Sequence, residues 1–159
     1  VGDALDEVLR LHFDLERDAR RARISELLEL VRLDDRQVTS LPFELSGGQR
    51  QRVCIARALA TDPQALILDE AVAALDVSVQ AQVLNLLADV QDKTGVSYLF
   101  VTHDLAVVRQ VADDVLVMRS GRVVERGTAE QVLDHPEHPY TRALRDAVPR
   151  AGWTPARRT

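Results

Sequence analysis

The stretch Ala65-Leu66-Ile67-Leu68-Asp69-Glu70 decides the fold. Its apolar run is too short for a helix, reads as a buried strand, and ends on two carboxylates. Upstream, Thr61-Asp62-Pro63 stops a helix that starts at Ser46 and runs to about Ala60. Downstream, Ser78 to Asp92 carries apolar residues at 79, 83, 86, 87 and 90, which is helical spacing, and Gly95 follows as a C-cap. Val96–Val101 is a second buried strand, ending at Thr102-His103-Asp104, and Leu105 to Val111 is again helical. Strands alternating with helices predict a parallel sheet, so the fold class is α/β.

The pattern extends to both sides. Residues 1–38 read as helical, with one apolar stripe at Leu5, Val8, Leu9 and Leu11 and another at Ile24, Leu27, Leu28 and Val31. The Arg and Glu residues between them form a solvated face. Pro42 marks a break before the next helix. Toward the other end, Val115–Met118 and Arg122–Glu125 flank Ser120-Gly121, a hairpin that closes the sheet region with antiparallel strands. Thr128 and Gln131 have the spacing of a capping box and open a short helix. His135-Pro-Glu-His-Pro-Tyr140 is a Pro-rich turn before a last helical stretch. No internal repeat or low-complexity tract is visible.

Composition bounds the function classes. The chain has 159 residues, 46% hydrophobic and 28% charged, which is ordinary for a globular protein and too apolar for a disordered tail. Its length suits one domain, about 15 Å in radius of gyration. A formal net charge of −5 argues against a nucleic-acid binder working by bulk positive charge. Cys54 is the sole cysteine, so neither an internal disulfide nor a cysteine metal cluster can form, and a reducing compartment is the simplest reading. No apolar run is long enough to span a bilayer, and the first residues show no signal peptide. The chain starts at Val1 without an initiator Met, which suggests part of something longer. Lys93 is the only lysine among 20 basic residues, so any mechanism that needs a lysine has one candidate.

Three sites could carry chemistry. In Leu45-Ser46-Gly47-Gly48-Gln49-Arg50-Gln51-Arg52, Ser46 and Gln49 form a capping box, and two glycines leave the start of the helix bare. Amide N–H groups and the helix dipole could then meet an anion at close range. Taken alone, the spacing is also that of a well-capped helix and nothing more. Glycine costs roughly 1 kcal/mol relative to Ala inside a helix, and nothing in the sequence asks for two of them here. Asp69, at the C-terminal edge of a strand, could hold Mg²⁺ through water, and Glu70 could polarise an attacking water. A solvated strand end is the plainer alternative. His103 is either a hydrogen-bonded structural residue or a polar contact to a terminal phosphate or to that water.

In order, L-S-G-G-Q-x-Q-R at 45–52, L-I-L-D-E at 66–70, A-L-D at 74–76 and T-H-D at 102–104 resemble the second half of an ABC-type ATPase, the cassette that powers ABC transporters. The likeness covers nearly the whole chain. Asp76-Val-Ser-Val-Gln80 and His138-Pro-Tyr-Thr141 narrow it to the peptide/nickel importer group. The resemblance implies the C-terminal part of a P-loop NTPase (RecA-like) parallel sheet with an α-helical subdomain. It divides the chain into a helical subdomain with the signature helix (1–60), the C-terminal half of the core (61–127) and an importer-type extension (128–159).

By the same resemblance, Ser46, Gly47, Gly48 and Gln49 contact the γ-phosphate of ATP held by an opposing cassette. Asp69 binds Mg²⁺ through water, Glu70 is the general base, Asp76 crosses the dimer interface, and His103 is the switch histidine. The implied partners are a second cassette, identical or not, transmembrane permease subunits and, indirectly, an extracytoplasmic solute-binding protein. No nucleic acid is implied, and the implied location is the cytoplasmic face of the membrane. The implied function is ATP hydrolysis driving import of peptides or related small solutes. A truncated cassette lending its signature in trans is the alternative. A soluble ABC-type ATPase acting on DNA or the ribosome is disfavoured by the absence of a long coiled-coil insertion, zinc-type cysteine pairs or a basic tail.

Some of the pattern is absent from these residues. The family has Pro after Asp-Glu and Thr-Ser before Ala-Leu-Asp, whereas Ala71, Val72 and Ala73 stand here. The phosphate-binding loop G-x-x-x-x-G-K-[ST] is not found. The one Lys-Thr pair, Lys93-Thr94, has Asp92 and Leu87 where glycines are required. The glutamine loop and the aromatic that stacks on adenine are missing too, and Val1-Gly2-Asp3 resembles the segment just after the glutamine loop, as if the chain began mid-cassette. One helix N-terminus contributes roughly 0.3–2 kcal/mol to anion binding, while millimolar affinity needs about 4 kcal/mol. Titration calorimetry of these 159 residues with ATP–Mg²⁺ is therefore expected to show no saturable binding tighter than millimolar; tight stoichiometric binding would contradict it.

Overall fold

A computed structural model describes residues 1–148. The chain forms two compact units, Val1–Val101 and a second beginning at Thr102.

In the first unit, helix α1 (Gly2–His12) and helix α2 (Arg17–Leu30) each turn one apolar stripe inward. Leu5, Leu9, Leu27 and Leu28 are almost wholly buried. The 1–38 helical expectation holds for two helices, not one continuous run. Phe13 takes an extended backbone, and Arg20 braces the corner by donating to Asp6 (2.7 Å) and to the carbonyl of Leu15 (2.6 Å). After Arg32, in the left-handed region at φ 56°, short 3-10 turns cover Asp35–Thr39 and Pro42–Glu44. Asp34 caps the first of these by accepting from the Arg36 N–H, a local bond that competes with helix continuation.

Helix α3 (Gly47–Leu59) leads to strand β1 (Ala65–Asp69), helix α4 (Val77–Thr94) and strand β2 (Ser97–Val101). β1 and β2 pair in parallel, with Ile67 opposite Leu99 and Asp69 opposite Val101. The helix between them supplies the crossover that parallel pairing needs. α4 ends as expected at Gly95, whose φ of 72° is the left-handed conformation that glycine adopts without cost. Val83, Leu84, Leu86, Leu87 and Val90 form its buried stripe. Leu66 and Leu68 are buried on one face of the sheet, and the Tyr98 hydroxyl on β2 donates to the carbonyl of Leu87 on α4 (2.9 Å). Burial pushes the Tyr98 hydroxyl up to about 12. Ile67, Leu99 and Val101 lie on the opposite, exposed face.

The second unit contains helix α5 (Leu105–Val111), strands β3 (Asp114–Arg119) and β4 (Arg122–Thr128), and helices α6 (Ala129–Asp134) and α7 (Pro139–Ala147). β3 and β4 form the expected antiparallel hairpin, with an irregularity between Val117 and Met118 and positive φ at both Ser120 and Gly121. The Arg109 guanidinium clasps both oxygens of Asp134, tying α5 to α6. That contact holds the Asp134 carboxyl below its ordinary range. The α/β class is thus met by a parallel pair and an antiparallel pair in separate two-stranded sheets.

Leu86 is fully buried, while Leu99 is 54% exposed. Urea unfolding is expected to show Leu86→Ala destabilised by about 2–5 kcal/mol and Leu99→Ala within about 0.5 kcal/mol of wild type.

Candidate functional site

The first turn of α3 is built by reciprocal capping. Ser46 Oγ accepts from the Gln49 N–H (3.2 Å), and Gln49 Oε1 accepts from the Ser46 N–H (2.9 Å). This settles two of the orphan donors at the helix start and leaves the N–H groups of Gly47 and Gly48 outside the helix ladder. Ser46 and Gly47 are exposed, Gln49 is half-buried and Gly48 is buried.

The two glycines differ. A Cβ on Gly47 would make ordinary contact with Leu75 (3.6 Å). A Cβ on Gly48 would lie 2.5 Å from Cγ1 of Val79, on α4. The sequence offered no structural reason for either glycine; for Gly48 the structure supplies one, close packing against α4. Only Gly47 stays without such a demand. Val79 was not singled out, although a glycine early in a helix is itself a signal of close approach.

Asp69 and Glu70 are both exposed at the end of β1. Glu70 is in the left-handed region at φ 50°. Its N–H donates to the carbonyl of Val101 (2.9 Å), continuing the parallel ladder one residue past the strand. Its carbonyl accepts from the Ala73 N–H (3.1 Å). A non-glycine residue in this region is uncommon, and such residues cluster at functional sites. Ala71–Leu75 then leads to α4, anchored by Val72, which is 3% exposed. The Leu75 N–H bonds the carbonyl of Val72 (3.2 Å).

Asp76 is the N-cap of α4 and accepts from the Ser78 hydroxyl (2.7 Å), the Val79 N–H (3.0 Å) and the Ser78 N–H (3.1 Å). These bonds, the Ser78 hydroxyl first, hold its carboxyl below the ordinary range against a small opposing effect of burial. The structure thus gathers Ser46, Gly47, Gly48 and Gln49 at one helix end beside Leu75 and Val79, and leads from Glu70 to Asp76 through one short loop. His103 belongs to the second unit. It is exposed in the turn before α5, whose N-cap is Asp104, accepting from Ala106 N–H (2.8 Å). Among the described residues no cluster of three or more His, Cys, Asp or Glu could hold a metal ion.

The Pro-rich turn also has a partner that the sequence did not reveal. Glu125 on β4 accepts from the N–H groups of Glu137 (2.7 Å) and His138 (3.2 Å). Burial pushes its carboxyl up, but the hydrogen-bonding groups around it, these two N–H groups among them, outweigh it and the net direction is down. His138 caps α7 by accepting at Nδ1 from the Tyr140 N–H (3.1 Å), and the Arg119 guanidinium lies 5.0 Å from the centre of the Tyr140 ring.

Residues 3–73 match the family model "ABC transporter", and residues 124–158 match the "Oligopeptide/dipeptide transporter, C-terminal region". Over these two segments the chain is similar to ABC transporter ATP-binding proteins. A Brucella abortus relative named "Putative peptide import ATP-binding protein" is 54% identical over 151 residues, covering 95% of this chain and 45% of the relative. The dipeptide transport ATP-binding protein DppF of Escherichia coli is 49% identical over 150 residues, covering 94% of this chain and 45% of DppF. The dimeric structure of a bacterial ABC transporter cassette, MJ0796, superposes with a TM-score of 0.66 at 32% identity, covering 79% of this chain and 56% of that one. The chain therefore spans about 45% of the length of these curated relatives. Among the described residues, no helix is long and apolar enough to cross a membrane.

Asp76 gives a pH test. A carboxyl whose folded pKa is depressed contributes stability above its unfolded pKa and loses it as pH falls through the folded value. The gap in urea midpoint between wild type and Asp76→Ala is expected to be widest at pH 7 and to narrow as pH falls below the ordinary carboxylate range near 4; a gap as wide at pH 2 as at pH 7 would contradict the charged cap.

Proposed function

We propose that this chain is part of the ATP-hydrolysing subunit of a peptide-type ABC importer. The observation that carries the reading is identity of 49–54% across 94–95% of the chain to relatives named for ATP binding in peptide import and dipeptide transport. A cassette structure related to this one was solved as a dimer and in a post-hydrolysis state with ADP and phosphate.

The geometry suits this chemistry. Ser46, Gly47, Gly48 and Gln49 form a capped helix end whose Gly47 and Gly48 N–H groups lie outside the ladder, suited to the terminal phosphate of ATP held by a second cassette. Asp69 fits the mode in which Mg²⁺ keeps several waters and takes one carboxylate beside substrate phosphates. Mg²⁺, when bound, neutralises charge on the transferring phosphoryl group. Glu70, exposed at the strand end, accepts a proton from the attacking water. Asp76 caps α4 and lies toward the opposing cassette, and His103 contacts the terminal phosphate as the switch histidine. The division into a helical part (1–60), a core part (61–127) and an extension (128–159) belongs to the same reading. The partners are then a second cassette, permease subunits and, through them, a solute-binding protein, with the subunit peripheral at the cytoplasmic face of the membrane.

In the assembled transporter, Glu70→Gln is expected to lower ATP turnover by about 10²–10⁴ while ATP still binds. Near-normal hydrolysis, measured as phosphate release, would remove Glu70 from the mechanism.

A further inference from the structure

Gly48 is buried at the second position of α3, and the space where its Cβ would stand is taken by Cγ1 of Val79, 2.5 Å away. Val79 lies in the first turn of α4, and its N–H is one of the three donors that the Asp76 carboxylate accepts. A chain of direct contacts therefore runs within one molecule, from the Asp76 carboxylate to the first turn of α4, from Val79 to Gly48, and so to the end of α3 that exposes Ser46 and Gly47.

We propose that Val79 is a positioning residue: it sets the depth at which the N-terminus of α3 is seated, and Gly48 is glycine to admit this side chain rather than a ligand. Asp76 acts on the signature turn through this contact, by fixing the first turn of α4. The packing stands on geometry alone, while its effect on ATP use rests on the function proposed above. Two other places carry less. The cavity of about 350 Å³ between α5, α6 and α7 has nothing in the structure to say what fills it. The same holds for the exposed sheet face at Ile67, Leu99 and Val101.

The test uses Gly48→Ala, Val79→Ala, Val79→Ile and the double Gly48→Ala/Val79→Ala. Thermal midpoints are measured on this chain, and ATP hydrolysis on the assembled transporter. Gly48→Ala is expected to lower the midpoint and to cut kcat/KM about tenfold or more, because a small displacement of a positioning element is costly. The double variant is expected to recover to within about threefold of Val79→Ala, the signature of direct coupling between touching residues. Val79→Ala alone raises the KM for ATP more than it lowers kcat, and Val79→Ile, which keeps Cγ1, restores it. A double variant as impaired as Gly48→Ala would show that a ligand needs the space, and would overturn the proposal. So would a Val79→Ala that moves the midpoint and leaves the KM unchanged. If the wild-type transporter hydrolyses no ATP, the proposed function fails, and the midpoints alone decide the packing claim.

Discussion

The first unit depends on parallel pairing of β1 with β2, carried one residue further by the bond from the Glu70 N–H to the carbonyl of Val101. Buried polar backbone has to find partners. Here the partner for the residue after the strand is the end of the neighbouring strand, so the chain turns at a fixed point and with a fixed hand. Glu70 then leaves the ladder through a left-handed backbone, and the burial of Val72 pins the loop that leads to Asp76. Two adjacent carboxylates and the cap of α4 thus take their places from a single ladder.

The same economy governs the signature turn. Its capping box closes two donors with side chains from the turn itself, so α3 begins where the sequence dictates. What the turn borrows is depth, from α4. Helix end and strand end therefore share one scaffold element, α4, which packs Leu87 under Tyr98 at one end and Val79 against Gly48 at the other.

Much of this was legible in the sequence because its signals are local. Apolar spacing placed α4, Gly95 placed its end, the S-x-x-Q pattern placed the start of α3, and Ser120-Gly121 placed the hairpin turn. Where the reading fell short, the deciding contact joins residues far apart in the chain. Gly48 was read as unneeded by the fold because Val79 comes from another helix. The break at Phe13 was hidden because Arg20 secures it from the next helix. The departures Ala71 and Val72 looked like losses in isolation. In three dimensions Val72 is an apolar anchor, and backbone bonds close the loop after Glu70.

The Glu125 clamp has a consequence for what evolution can write on the Pro-rich turn. Both carboxylate oxygens grip main-chain amides, so the grip is blind to the side chains at 137 and 138 and vetoes only an imino acid there. Proline stands at 136 and 139, immediately outside the two gripped positions. The spacing of the prolines is a negative print of the clamp, and the main chain it fixes at 138 is what lets the His138 ring turn back to cap α7.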